Sequence, residues 1–188
     1  MTDKDIVNIL LSQLDLKKVI RENPEISMDE VDGIVKKIKS FFDVNDKKII
    51  YVYTDGASRG NPGDSGIGVV IKDEKMNTIE EYCEYVGNYT NNVAEYKALI
   101  CGLKIAEEFN PSGLKIFSDS QLMVMQVKGE WRVKDLKLIA LYEETMSILK
   151  NFNSWEINAI SRKENKRADA LANMGIDKRE NKDRSMIW

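Results

Sequence analysis

The chain has 188 residues, 43% of them apolar and 31% charged, with a net charge of −3, two cysteines and no histidine. That length accommodates one ordinary domain with an appendage, and the missing imidazole excludes Ser-His-Asp and Cys-His nucleophile schemes. No window is apolar for the roughly 18 residues a membrane span needs, and the start MTDKDIVNILL carries acids where a signal peptide carries lysines, so a cytoplasmic location is expected.

Residues 2–22 and 27–42 read as a helical hairpin broken at Asn23-Pro24. Ser27 and Glu30 form a capping-box pattern, and Val31, Ile34, Val35, Ile38, Phe41 and Phe42 follow one helical face. That stripe must pack on something: the partner helix, the main domain or a second chain. Acids and bases nearly balance here and the only aromatics lie on the stripe, so self-association or a protein partner is expected of residues 1–47 rather than nucleic-acid binding. The polar stretch 43–48 is read as a linker.

Strand-like runs follow at 48–54, 66–72 and 78–87, joined by short Gly, Asp and Asn turns as in a meander. The first of them ends at Asp55 and passes into a stretch containing Gly56, Gly60, Pro62 and Gly63, which reads as a loop. A helix is expected from about 92 to 109, stopped by Asn110-Pro111-Ser112-Gly113. Then come a strand at 114–117, helices at 120–127 and 135–151, a strand at 155–160 and a helix at 165–175. Three strands followed by alternating strands and helices imply an α/β fold, with a mixed five-stranded sheet flanked by helices over residues 48–176. The charged stretch 177–188 is read as a tail, and Cys83 and Cys101 as reduced core residues.

Four acids fall where elements begin or end, and each has an ordinary reading. Asp55 suits a turn, Glu95 a helix cap, Asp119 an N-cap, and Asp169 a solvated helix face. The sheet changes that. If the first and fourth strands are parallel neighbours, Asp55 and Asp119 leave strand ends about 4.8 Å apart, at the edge where open α/β sheets bind ligands. Two such carboxylates repel unless a cation lies between them, and a hard divalent ion such as Mg²⁺ suits oxygen donors.

At this point the motifs carry a resemblance. Thr54-Asp55-Gly56-Ala57-Ser58-Arg59-Gly60-Asn61-Pro62-Gly63, Thr90-Asn91-Asn92-Val93-Ala94-Glu95, Ser118-Asp119-Ser120-Gln121 and Asn165-Lys166-Arg167-Ala168-Asp169-Ala170-Leu171-Ala172 resemble, in order, the motifs of type 1 ribonuclease H. The resemblance implies a ribonuclease H-like fold and endonucleolytic cleavage of the RNA strand of RNA:DNA hybrids, with little sequence preference. It implies 3′-hydroxyl and 5′-phosphate products and two-metal catalysis by Mg²⁺, with Mn²⁺ able to substitute. Asp55 would bridge both ions, Asp169 would help hold the one that activates water, and Glu95 with Asp119 the one at the leaving oxygen. Asn61 and Thr90 would grip a DNA phosphate. Asn91, Asn92, Gln121 and the backbone of Gly56, Ala57 and Ser58 would meet the minor groove and the 2′-hydroxyls that mark the RNA strand.

Three departures qualify the resemblance. The loop histidine common in the family is absent, and Ile160-Ser161-Arg162-Lys163-Glu164-Asn165 offers Arg162 for a phosphate instead. The family's basic protrusion is missing, since Gly129-Glu130-Trp131-Arg132-Val133-Lys134 leads directly to the next helix, although Trp131 could still contact backbone. Residues 1–47 match no hybrid-binding module. The alternative is a module of the same fold that holds hybrid without cutting it.

Overall fold

The computed structural model describes residues 3–23, 25–43 and 49–185. The chain divides into two compact units, Met1–Lys47 and Lys48–Trp188.

In the first unit, α1 (Asp3–Gln13), α2 (Leu16–Glu22) and α3 (Met28–Asp43) replace the expected two-helix hairpin, with α1 packed on α3. The break lies at Leu14-Asp15, where the Asp15 carboxylate accepts the Lys18 backbone N–H at 3.0 Å and so caps α2. Ser27 and Glu30 form the expected capping box: the Ser27 backbone N–H donates to Glu30 Oε2 at 2.9 Å, and the Glu30 N–H returns a bond to Ser27 Oγ at 3.2 Å. Along the α3 stripe Val31, Val35 and Ile38 are half-buried, while Ile34 is 55% exposed. The side chains of Phe41 and Phe42 and the linker residues 44–48 lie outside the described residues.

The second unit is built on a five-stranded sheet of order β3-β2-β1-β4-β5. Its strands are β1 (Ile49–Gly60), β2 (Gly63–Lys72), β3 (Thr78–Tyr89), β4 (Gly113–Ser118) and β5 (Trp155–Ala159). The first three pair antiparallel as a meander, and β4 and β5 join parallel to β1 and to each other. The mixed sheet expected from the sequence is therefore present, with one correction. The glycine-bearing stretch after Asp55 is strand, not loop: β1 runs on to Gly60, paired with β2 from Tyr51↔Lys72 to Gly60↔Gly63.

Helices α4 (Asn91–Glu108), α5 (Gln121–Val127) and α6 (Leu136–Leu149) enclose the main core with one face of the sheet. Ile50, Val52, Leu99, Leu103 and Ile116 are fully buried there, each stabilising the fold by about 2 kcal/mol through the apolar surface withdrawn from water. Helix α7 (Lys166–Ser185) packs across β2, β3 and β1, forming a smaller cluster of Val70, Ala168 and Leu171. It approaches closely at Gly68, where an added Cβ would stand 2.1 Å from the Ala168 carbonyl oxygen. The helix continues well past the expected end near 175, so the charged tail is helical as far as Ser185; Met186, Ile187 and Trp188 lie outside the described residues. Cys83 and Cys101 are half-buried at the margins of the two clusters.

Candidate active site

The parallel pairing of β1 and β4 positions the first two acids. Tyr53↔Phe117 is the last register pair, and each strand reaches its acid two residues later, at Asp55 and Asp119. Asp55 is 5% exposed and still paired with Gly68 of β2. Neither acid serves the ordinary role its sequence position allows: Asp55 is not in a turn, and Ser120 rather than Asp119 occupies the N-cap of α5.

Glu95, also 5% exposed, comes from α4. The helix begins at Asn91, capped by Thr90 Oγ1, which accepts the Val93 N–H at 3.4 Å. Its start is pressed against β1 at Gly56, where a Cβ would stand 2.2 Å from the Ala94 carbonyl carbon and the Glu95 nitrogen. Only glycine permits that approach, which lets the Gly56 N–H donate to Glu95 Oε2 at 3.2 Å. Asn91 Nδ2 donates to the other oxygen at 3.4 Å. Asp169, in the first turn of α7, accepts a charge-assisted bond from Arg162 Nη2 at 2.7 Å.

The four carboxylates line one polar cleft of about 440 Å³ together with Gly56, Ala57, Ser58, Asn91, Gln121 and Arg162. Ser120, Leu122 and Asn173 complete its lining, none of which the sequence reading singled out. Asn61, Thr90, Asn92 and Trp131 do not line it. Asn61 Oδ1 accepts the Asn91 N–H at 3.3 Å, placing Asn61 beside Thr90 and the exposed Asn92 at the start of α4. Trp131 is 46% exposed in the turn between α5 and α6, and among the described residues no helix intervenes there, as the missing protrusion required.

Burial, then the charges of Asp119 and Asp169, push the Asp55 carboxyl up to about 7, against an opposing pull from Arg162 and the Gly56 N–H. Burial followed by Asp55 and Asp119 holds Glu95 well above the carboxylate range. Oxygen-only donors with unrelieved repulsion fit a hard divalent cation. Among the described residues no three such side chains close into a ready-made metal cage. An open donor set of this kind suits Mg²⁺, which keeps several waters and takes phosphate oxygens as its remaining ligands.

The comparisons with known proteins point the same way. A family model described as reverse transcriptase-like matches residues 53–175. Ribonuclease HI of Halobacterium salinarum is 38% identical over 128 residues, covering 68% of this chain and 64% of that protein. The chain belongs to the ribonuclease H family.

Among solved ribonuclease H structures, LC11-RNase H1 in complex with an RNA/DNA hybrid is 42% identical with a TM-score of 0.66, covering 69% of this chain and 97% of that one. The N-terminal RNase H domain of a Mycobacterium tuberculosis protein, solved fused to maltose binding protein, is 34% identical with a TM-score of 0.69, covering 72% and 98%. The curated bifunctional protein of M. tuberculosis is 36% identical over 129 residues, yet only 35% of its length is spanned. The matched region is the second unit; the ribonuclease H motifs and all four carboxylates lie within it.

Proposed function

We propose that the protein hydrolyses the RNA strand of RNA:DNA hybrids endonucleolytically, with little base-sequence preference, leaving 3′-hydroxyl and 5′-phosphate ends. The observation that carries this reading is the convergence of Asp55 from β1, Glu95 from α4, Asp169 from α7 and Asp119 from the junction after β4 on one cleft. The hybrid bound to LC11-RNase H1 supports the choice of substrate.

Asp55, Glu95, Asp119 and Asp169 would hold two Mg²⁺ ions, with Mn²⁺ as a substitute. When bound, these ions supply activation of water near neutral pH and neutralisation of charge at the scissile phosphate and the leaving oxygen. The burial of Asp55 and Glu95 strengthens their hold on a cation, since little water screens the attraction. Arg162 stands at the mouth of the cleft on Asp169, and its forked guanidinium can exchange that carboxylate for a phosphate but cannot act as a base.

Substrate contacts follow from the same frame. The N-terminus of α4 presents the Asn92 backbone N–H and the positive end of the helix dipole, which suits a DNA-strand phosphate beside Thr90 and Asn61. Because the Asn61 carbonyl oxygen is engaged by Asn91, its NH₂ is the group left to donate. Gly56, Ala57, Ser58, Asn91 and Gln121 line the cleft where 2′-hydroxyls would lie, with Asn92 at its margin. Trp131 is exposed enough to contact the duplex backbone.

We assign residues 1–47 to self-association or a protein partner, supported by the exposure of Ile6, Ile9, Leu10, Leu14, Met28 and Ile34. No helix among the described residues is long and apolar enough to cross a membrane, and we place the protein in the cytoplasm.

The test is cleavage of an end-labelled RNA:DNA hybrid with Mg²⁺, Mn²⁺ or EDTA, beside Asp119→Asn, with DNA:DNA and RNA:RNA duplexes as controls. Cuts confined to the RNA strand of the hybrid, abolished by EDTA and in the folded variant, are expected. Equal cleavage by Asp119→Asn, or none by the parent protein with either metal, rejects the proposal.

A further inference from the structure

Asn165 precedes α7, where asparagine ordinarily caps a helix by accepting an N–H through Oδ1. Here it does something else. The residue is 1% exposed and Oδ1 is buried with no hydrogen-bond partner, so the cap is not made. The amide NH₂ is instead divided between two acceptors, the Thr54 backbone carbonyl at 2.9 Å and Asp119 Oδ1 at 2.7 Å. A carbonyl and a carboxylate can only accept from Nδ2, so the identity of the donating end is fixed by its partners.

This one amide therefore ties together the three elements that carry three of the acids. Thr54 immediately precedes Asp55 on β1, Asp119 follows β4, and the Asn165 carbonyl accepts the Asp169 N–H at 3.0 Å as α7 begins. A bond from Nδ2 restrains one Asp119 oxygen and leaves the other for the cleft.

We propose that Asn165 is a positioning residue: it fixes the orientation of the Asp119 carboxylate relative to Asp55, and it acts on hydrolysis only through that carboxylate. The inference rests on the hydrolytic reading above. It assigns to Asn165 no contact with substrate.

The test uses Asn165→Ser and Asn165→Ala in the full chain. Serine is as good an N-cap as asparagine but too short to span both acceptors, so it separates capping from positioning. Steady-state hydrolysis of the hybrid is measured with the Tm of each variant and with calorimetric titration of Mn²⁺ in the absence of nucleic acid. Expected for Asn165→Ser are a Tm within a few degrees of the parent, a KM for hybrid within two-fold, a kcat at least ten-fold lower, and Mn²⁺ binding weakened several-fold. If Asn165→Ala fails to fold, Asn165→Ser decides alone. Parent-like kcat and Mn²⁺ affinity in a folded variant overturn the proposal, as does a rise in KM at unchanged kcat, which would mean a substrate contact. A parent protein that cuts no hybrid defeats the functional reading itself, a result distinct from either.

Discussion

Thr54 stands one residue before the first carboxylate, fully buried, with a hydroxyl that has no hydrogen-bond partner. A buried donor left unmade costs on the order of 1–2 kcal/mol, so replacing the hydroxyl with a methyl should stabilise the protein by about that amount. Thr54→Val should raise the urea midpoint while leaving hydrolysis intact, because Asn165 bonds to the backbone carbonyl, which the substitution keeps. A lowered midpoint would show that the hydroxyl has a partner after all. Arg162 makes a different case. Its pair with Asp169 is exposed on the arginine side and contributes little to folding, so Arg162→Ala should leave the unfolding free energy unchanged within about 0.5 kcal/mol. Its loss should raise the KM for hybrid several-fold, more at low salt than at high, as removal of a phosphate contact does. An unchanged KM at every ionic strength would remove Arg162 from the substrate surface.

Among the elements, α7 depends on backbone packing that tolerates no added atom. Gly68→Ala places a Cβ against the Ala168 carbonyl and the Ala172 nitrogen, neither of which can turn aside as a flexible side chain would. The substitution should cost about 3 kcal/mol by thermal unfolding and weaken activity by displacing Asp169. The order and type of these elements were legible in the sequence because apolar periodicity and turn residues mark them, and the four acids because each falls in an ordered motif. Beyond the split of α1 from α2, three features were not. The extension of β1 through Gly56 is invisible to strand propensity, which glycine lowers; it follows from pairing with β2 as far as Gly60↔Gly63, a tertiary fact. The continuation of α7 beyond Ile176, the last buried residue among those described, runs through a charged sequence with no apolar stripe to announce it. The bond from Asn165 to Asp119 joins positions 46 residues apart, and local pattern reads asparagine before a helix as a cap.

At the scale of the whole molecule, the carboxylate cluster should make stability fall as pH rises when divalent ions are removed. The Asp55 carboxyl lies at about 7 in the fold, above its unfolded value near 4. Between those values the native state binds the extra proton, so stability is greatest below the unfolded pKa and is lost as pH rises toward 7. The loss is on the order of 2–4 kcal/mol, and Glu95 acts in the same direction. Urea unfolding of EDTA-treated protein from pH 4.5 to 7.5 should show the decline, Asp55→Asn should flatten it, and Mg²⁺ should oppose it at pH 7.5. A flat profile in the EDTA-treated parent would mean that the repulsion is already relieved within the protein.

The distribution of the acids along the chain has a consequence for when the protein becomes active. Asp55 leaves the first strand of the sheet, whereas Asp169 arrives on its last helix. A nascent chain still on the ribosome can complete the three-stranded meander long before α7 has emerged, and at that stage it holds an unfinished site. Under the proposed function, catalytic competence would require docking of α7. A fragment ending near residue 160 should be inert towards hybrid, and adding the α7 segment as a separate peptide should restore cutting only as far as that peptide docks.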